Sequence, residues 1–155
     1  RYFNPSTGYM KTKWLKLGSK TYYLYSKSGI AATGFLRDSK GNYRYFAKSG
    51  KMATGWVSNS KGEKRYFQTT NAISTNGIMA TGFKTINNVT YYFYKSSGKM
   101  ATGWVQNEEN GTKYYFDKST GAMYTGTHTI SGVKYEFSSS GVCLGEKKKR
   151  SVYNQ

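Results

Sequence analysis

The chain has 155 residues, enough for one ordinary domain, and combines a net charge of +17 with 16 tyrosines, 18 glycines and a single proline. Hydrophobic residues make up 37%, and much of that is aromatic, which excludes a large aliphatic core and requires the rings to be buried in small local clusters. Cys143 is the only cysteine, so no intrachain disulfide forms, and without a run of about 18 apolar residues no membrane span is expected.

A repeat governs the chain, and it is read most easily in chain order. A partial repeat, residues 1–13, ends on Thr12-Lys13. That pair stands where later repeats have Thr-Gly followed by a marker residue, usually an aromatic. The first full repeat starts at the marker Trp14, turns at Gly18, continues through Tyr22-Tyr23-Leu24 and a polar loop to Gly29, and has Ala31 two residues later. The second starts near Phe35, turns at Gly41, and runs through Arg44-Tyr45-Phe46 to Gly50 and Met52. The third starts near Trp56, turns at Gly62, and runs through Arg65-Tyr66-Phe67. Its loop, residues 68–76 before Gly77, is about five residues longer than the others. It is expected as a tolerated surface insertion, because added loop length costs little; a groove-shaping loop is the alternative. The fourth starts near Phe83, turns at Asn87-Asn88, and runs through Tyr91-Tyr92-Phe93 to Gly98 and Met100. The fifth starts near Trp104, turns at Gly111, and runs through Tyr114-Tyr115-Phe116 to Gly121 and Met123. The sixth starts near Thr127, turns at Gly132, and runs through Tyr135-Glu136-Phe137 to Gly141 and Cys143. Having lost both marker ring and middle tyrosine, it suits a terminal cap with a polar outer face. The repeat domain is expected over 1–145, with a basic tail over 146–155. With no signal segment and an opening, Arg1-Tyr2-Phe3, in mid-pattern, the sequence reads as part of a longer chain.

Glycine falls only in the turn, at the end of the polar loop and in the Thr-Gly step, so one backbone conformation with positive φ is being repeated. The segments flanking each turn are short and rich in β-branched and aromatic residues, the pattern of β-hairpins. The predicted fold is therefore all-β. A lone hairpin is marginal in water, so the hairpins are expected to stack as a solenoid, each covering the next. Alternation places the last triplet residue (Leu24, Phe46, Phe67, Phe93, Phe116, Phe137) inward and the middle one on the opposite face. All five methionines share one slot, expected to fill the joint between repeats, with Cys143 as a small apolar substitute.

The pattern of Thr-Gly-Trp, turn Gly, Tyr-Tyr-Phe, loop Gly and Met-Ala-Thr-Gly, clearest at Met100-Ala101-Thr102-Gly103-Trp104, resembles the cell-wall-binding repeats of Gram-positive surface proteins over residues 2–145. These include choline-binding modules, glucan-binding repeats and the receptor-binding repeats of clostridial toxins. The resemblance implies a β-hairpin solenoid with ligands held between consecutive hairpins. In the choline branch a second tryptophan usually precedes the Tyr-Tyr pair. Here the matching positions are Thr21, Tyr43, Lys64, Thr90, Lys113 and Lys134, which leaves Tyr43 as the remaining cage candidate and moves the reading toward glucan-type or toxin-type repeats. Sugar rings stack on Trp and Tyr while hydroxyls need polar neighbours such as Thr90, Gln106, Asn107 and Lys113. The candidate ligand-binding rings are Trp14, Trp56, Trp104, Tyr45, Tyr66, Tyr92 and Tyr115, together with Tyr43; the same rings would also serve as packing between repeats with no ligand.

Charge separates the chain into parts. Residues 1–67 carry 14 Lys and Arg against Asp38 and Glu63, whereas residues 68–146 carry six Lys against five acids. The first three repeats are thus expected to meet an anionic wall polymer of the teichoic-acid type, and repeats four and five neutral sugar. Nucleic acid is not the expected partner, since the lysines are scattered over turns and loops and no nucleic-acid motif appears. No repeated acid pair suggests glycoside hydrolysis, Glu108-Glu109 falls in a turn, and His128 stands alone without a nucleophile or metal partners. The expectation is a module without catalytic residues, metal or cofactor that binds a polysaccharide or cell-wall polymer and anchors a secreted or surface protein of a Gram-positive bacterium. Host-receptor glycan repeats of a toxin-like protein, or an interaction stalk, are the alternatives.

Overall fold

The computed structural model describes residues 1–147, none of which is helical. Each repeat forms an antiparallel hairpin: β1 (Lys13–Leu17) with β2 (Lys20–Leu24), β3 (Gly34–Arg37) with β4 (Tyr43–Phe46), and β5 (Gly55–Ser58) with β6 (Lys64–Phe67). Then come β7 (Gly82–Ile86) with β8 (Val89–Phe93) and β9 (Gly103–Gln106) with β10 (Lys113–Phe116). The sixth repeat is three-stranded, β11 (Gly126–Ile130), β12 (Val133–Phe137) and β13 (Cys143–Glu146). The fold is all-β, a solenoid of tandem hairpin repeats, divided into two compact units, Arg1–Ala80 with the first three hairpins and Thr81–Gln155 with the last three. Of the expected basic tail, Glu146 closes β13 and Lys147 donates its N–H to the Lys134 carbonyl at 2.8 Å; Lys148 and the rest of the tail lie outside the described residues.

Turn chemistry explains where the strands end. Asn87 and Asn88 both have positive φ, 49° and 64°, as do Ser131 and Gly132, so these two-residue turns twist in the sense of the flanking strands. The longer turns are built on an Asx residue instead. Asp38 Oδ1 accepts the N–H groups of Lys40 and Asn42, and Asn59 Oδ1 accepts those of Lys61 and Glu63. All 18 glycines have positive φ, as their confinement to three slots predicts. Lys13 occupies the Thr-Gly slot of the partial repeat and is held at φ 62°, a conformation that strains a side chain.

The methionine slot has a specific partner. Each Met forms an isolated bridge with the inward residue of its own hairpin, as in Phe46↔Met52 and Phe116↔Met123, and Cys143 pairs Phe137 in the same way. The sulfurs of Met10, Met52, Met100 and Met123 then lie against the loop glycine of the following repeat. A Cβ on Gly77 would sit 2.7 Å from Met52 Sδ, and one on Gly121 2.5 Å from Met100 Sδ. These glycines are therefore required twice over, by φ and by the close approach of a side chain. Backbone bonds tie consecutive hairpins at the same place: Met52 N–H donates to Thr21 O and Met123 N–H to Thr90 O, each at 2.8 Å.

The two faces of each hairpin differ as alternation predicts. Leu24, Phe46, Phe67, Phe93, Phe116 and Phe137 are all buried. On the other face the marker residue and the middle tyrosine are cross-strand partners, and within each compact unit the next hairpin's inward phenylalanine packs against them. Ring centroids lie 6.4 Å apart for Trp14 and Phe46, 6.3 Å for Tyr45 and Phe67, 6.1 Å for Tyr92 and Phe116, and 6.0 Å for Trp104 and Phe137. In the sixth hairpin the partners are Thr127 and Glu136, both exposed, in keeping with a cap.

The long loop of the third repeat is more than a tolerated insertion. It closes on itself through Thr70 N–H to Asn76 Oδ1 and a Thr70–Thr75 hydroxyl bond of 2.8 Å. It then offers the carbonyls of Ser74 and Asn76 to the Arg44 guanidinium at 2.7 and 2.9 Å.

Two stability measurements test this account. Gly103 and Gly121 both have positive φ, but a Cβ on Gly103 meets open space. Gly103→Ala should cost about 1–2 kcal/mol from φ alone, and Gly121→Ala about 1–3 kcal/mol more from overlap with Met100. A double-mutant cycle with Met100→Ala, read by denaturant unfolding, should recover that increment. Lys13→Gly should raise stability by about 0.5–1 kcal/mol by relieving the strain at φ 62°.

Candidate functional site

Period-two alternation puts the marker aromatic and the middle tyrosine side by side on one face, and the strand register makes them direct neighbours: Trp14↔Tyr23, Phe35↔Tyr45, Trp56↔Tyr66, Phe83↔Tyr92 and Trp104↔Tyr115. Their ring centroids are 5.0 to 5.3 Å apart in steeply tilted or edge-on geometry. Within each compact unit such a pair makes an angled corner whose floor is the next hairpin's phenylalanine, as at Trp14, Tyr45, Phe83 and Trp104. Trp56, Phe83 and Trp104 remain 41%, 48% and 42% exposed, so the corners are open at the marker ring.

The next hairpin also supplies a third wall. Its source is the first triplet residue, two positions before the floor phenylalanine and on the same face. In the second unit that residue is tyrosine. Tyr114 stands 5.0 Å from Phe83 at 62°, and Tyr135 stands 5.1 Å from Trp104 at 74°. Phe83, Tyr92 and Tyr114 border an open cleft of about 700 Å³ whose rim carries Glu108 and Glu109. Trp104 and Tyr135 border one of about 880 Å³ with Leu144 and Glu146. In the second and third hairpins the same position holds arginine. The Arg44 guanidinium carbon lies 5.3 Å over the Trp14 ring, and that of Arg65 5.5 Å over Phe35.

The predicted site rings fall into groups on this frame. Trp14, Tyr45, Tyr66, Tyr92, Trp56 and Trp104 all belong to corners. Tyr115 belongs to one as well but is only 5% exposed, because Tyr124 lies over it at 5.0 Å. Tyr124 replaces the alanine found at Ala32, Ala80 and Ala101. Too large for that buried slot, it stacks on His128 at 3.8 Å and donates its hydroxyl to Asp117 Oδ2. Burial and that carboxylate push the Tyr124 phenol up. Ser119 and Thr120 together hold Asp117 well below the usual carboxylate range. Tyr43 is not brought to any corner; its ring face carries Arg37, whose guanidinium carbon is 5.7 Å from the ring centre. Sequence reasoning missed Tyr114 and Tyr135 as walls, and Arg44 and Arg65 in their place. The signal available for them was the shared first position of the triplet.

Arg44 is the most constrained of these residues. It is 4% exposed, and besides the two loop carbonyls it donates to Asp38 Oδ2 at 3.1 Å. Burial alone would raise the Asp38 carboxyl, but hydrogen bonds from Asn42, Arg44 and Lys40 outweigh it and leave the group below its ordinary value. Trp14, Tyr23, Tyr25, Asp38, Arg44 and Ser74 all line one groove. Among the described residues, no three His, Cys, Asp or Glu side chains are grouped to hold a metal.

Known proteins share this fold. A model of the choline-binding repeat matches residues 32–76 and 80–128, and a model described as a putative cell wall binding repeat matches residues 12–31. The structure is similar to that of CbpJ from Streptococcus pneumoniae TIGR4, with a TM-score of 0.75 and 34% identity over 86% of this chain and 42% of that one. It is similar to choline-binding protein F from Streptococcus pneumoniae, solved in the presence of a tetrasaccharide-pentapeptide peptidoglycan analogue, with a TM-score of 0.80 and 32% identity over 92% of this chain and 48% of that one. The modular autolysin LytC from Streptococcus pneumoniae gives a TM-score of 0.62 and 26% identity over 94% of this chain and 30% of that one. The chain therefore spans less than half the length of each of these three. No curated protein sequence matches it.

The Asp38–Arg44 contact sets a pH dependence. A carboxyl whose folded pKa lies below its unfolded value of about 3.9 stabilises the fold above that value, and the contribution is lost as pH falls through the folded pKa. The Trp14 indole N–H resonance should stay fixed from pH 7 to about pH 4 and move below it as Arg44 loses its charged partner. Asp38→Asn should abolish that movement.

Proposed function

The chain belongs to the choline-binding repeat family, and from that premise we propose that its second unit holds quaternary ammonium groups of the choline type in two ring-walled sites. One is bounded by Phe83, Tyr92 and Tyr114, the other by Trp104 and Tyr135 over the Phe137 floor. The observation that carries this reading is the third wall, a tyrosine standing 5.0 or 5.1 Å from the marker ring. A quaternary ammonium has no N–H to donate, so it is held by ring faces, and three rings around one corner supply them. The rim carboxylates of Glu108, Glu109 and Glu146 add a favourable field. For the second unit this replaces the expectation of neutral sugar: three rings and rim carboxylates suit a cation better than a hydroxyl-rich ring that needs paired donors and acceptors.

Cation–π attraction of about 0.5–2 kcal/mol per ring gives sites of roughly millimolar strength. Useful attachment then comes from several sites on one polymer acting together. The partner that fits is an anionic, choline-bearing wall polymer of the teichoic-acid type. Its cations enter the second unit, and its anionic backbone meets the surplus of Lys and Arg in residues 1–67. The chain then acts as the non-catalytic wall-binding part of a protein on the surface of a Gram-positive bacterium.

Choline titration followed by NMR tests the assignment. The Trp104 indole N–H and the Phe83 and Tyr114 ring signals should shift and saturate at millimolar choline. Trp104→Ala, checked for folding by circular dichroism, should remove the Trp104-site response. Isomalto-oligosaccharide shifting these signals while choline at about 0.1 M leaves them unmoved would defeat the reading. Binding of free choline should be nearly independent of salt, whereas binding of the choline-bearing polyanion should weaken as salt rises.

A further inference from the structure

We infer that Arg44 and Arg65 are specificity-determining residues: each places the chain's own cation in the ring-walled site of the preceding hairpin and closes it to a quaternary ammonium. The inference rests on the cation reading of the second unit and extends it to the first.

Register makes the comparison strict. Arg44, Arg65, Tyr114 and Tyr135 each stand two residues before the floor residue, Phe46, Phe67, Phe116 or Phe137, and each meets the marker aromatic of the hairpin before. The four sites share the corner and the floor and differ in the wall. With tyrosine the wall is a third ring face. With arginine a guanidinium lies over the marker ring at 5.3 or 5.5 Å, the place a ligand cation would take. A second cation brought to that corner meets a fixed positive charge about 5 Å away, a repulsion worth about tenfold or more in affinity.

Arg44 is built in rather than placed by chance. A guanidinium that is 4% exposed is costly unless all its donors are used. Here Nη1 donates to Asp38, Nε to the Asn76 carbonyl and Nη2 to the Ser74 carbonyl. Two of those three acceptors come from the insertion in the third repeat, which has no counterpart elsewhere in the chain. The insertion and Arg44 are thus two parts of one plug. Asp38, the one carboxylate in that groove, is already committed to Arg44 and leaves no net attraction for a cation.

The test converts walls in both directions in the full chain, with choline as the probe. Arg65→Tyr should create choline-dependent shifts at Phe35 and Tyr45, with an affinity within about tenfold of the Phe83 site. Arg44→Tyr should do the same at Trp14 and Tyr23. Arg65→Tyr stands as the independent variant should loss of the Asp38, Ser74 and Asn76 contacts unfold the first unit of Arg44→Tyr. Conversely, Tyr114→Arg should weaken the Phe83 site by about tenfold or more. Gain of a first-unit site in a folded arginine-to-tyrosine variant supports the inference. Folded variants that gain nothing, while wild type still binds at Phe83 and Trp104, overturn it and leave the cation reading standing. No binding by wild type at Phe83 or Trp104 removes the cation reading itself, and the inference with it.

Discussion

A two-stranded hairpin buries only one face, so its other face must be covered by something else. In this chain the cover is the next hairpin's inward phenylalanine, set 6.0 to 6.4 Å from the ring pair before it. Everything else follows from this contact. It demands an aromatic pair on the outward face and a phenylalanine on the inward one. It demands a sharp return between hairpins, made by loop glycines with positive φ. It also leaves a gap at the return that a flexible thioether fills, pressed so close to the glycine that no Cβ fits there. The stability of each unit is then a sum of neighbour contacts, with Thr127 and Glu136 giving the sixth hairpin a polar outer pair.

The same contact generates the ring-walled corners. A ring pair covered by a phenylalanine is closed below and open at its edge, and the residue two positions before that phenylalanine necessarily stands beside the opening. What occupies that position is free to vary without disturbing the floor. Tyrosine there makes a three-ring corner and arginine fills the corner with charge. The charge asymmetry of the sequence thus has a structural counterpart. Residues 1–67 combine a surplus of Lys and Arg with guanidinium walls, while residues 68–146 combine near-neutral balance with ring walls and rim carboxylates.

Much of this was legible from residues alone because it is local. Positive φ at the glycine slots, the hairpins, the burial of the Leu24 and Phe46 series and the methionine joint all follow from period-two alternation and fixed slots. The third wall was not legible in the same way. Alternation places Arg44 and Tyr114 on the inward face beside Phe46 and Phe116, but only the direction of stacking reveals that this face meets the previous hairpin's marker ring. For the same reason Tyr43, one residue out of phase, looked like a cage residue and instead carries Arg37. The role of the insertion was hidden for a different reason. It acts through the backbone carbonyls of Ser74 and Asn76, which leave no side-chain signature.

Separating the stacking residue from the wall residue has a consequence for how such a chain acquires specificity. Stacking depends on the third triplet position, which is buried in every hairpin and apolar throughout. On the proposed reading ligand choice depends on the first, which is half-buried where it is tyrosine and holds either ring or cation. On that reading a substitution at the first position changes what one corner accepts while the solenoid still stands; repeats with different walls coexist on one scaffold. Arg44 shows the limit of that freedom. Because its guanidinium is almost fully buried, it required an acid on its own hairpin and an insertion on the next to satisfy its donors, so changing this wall involves three separate parts of the fold.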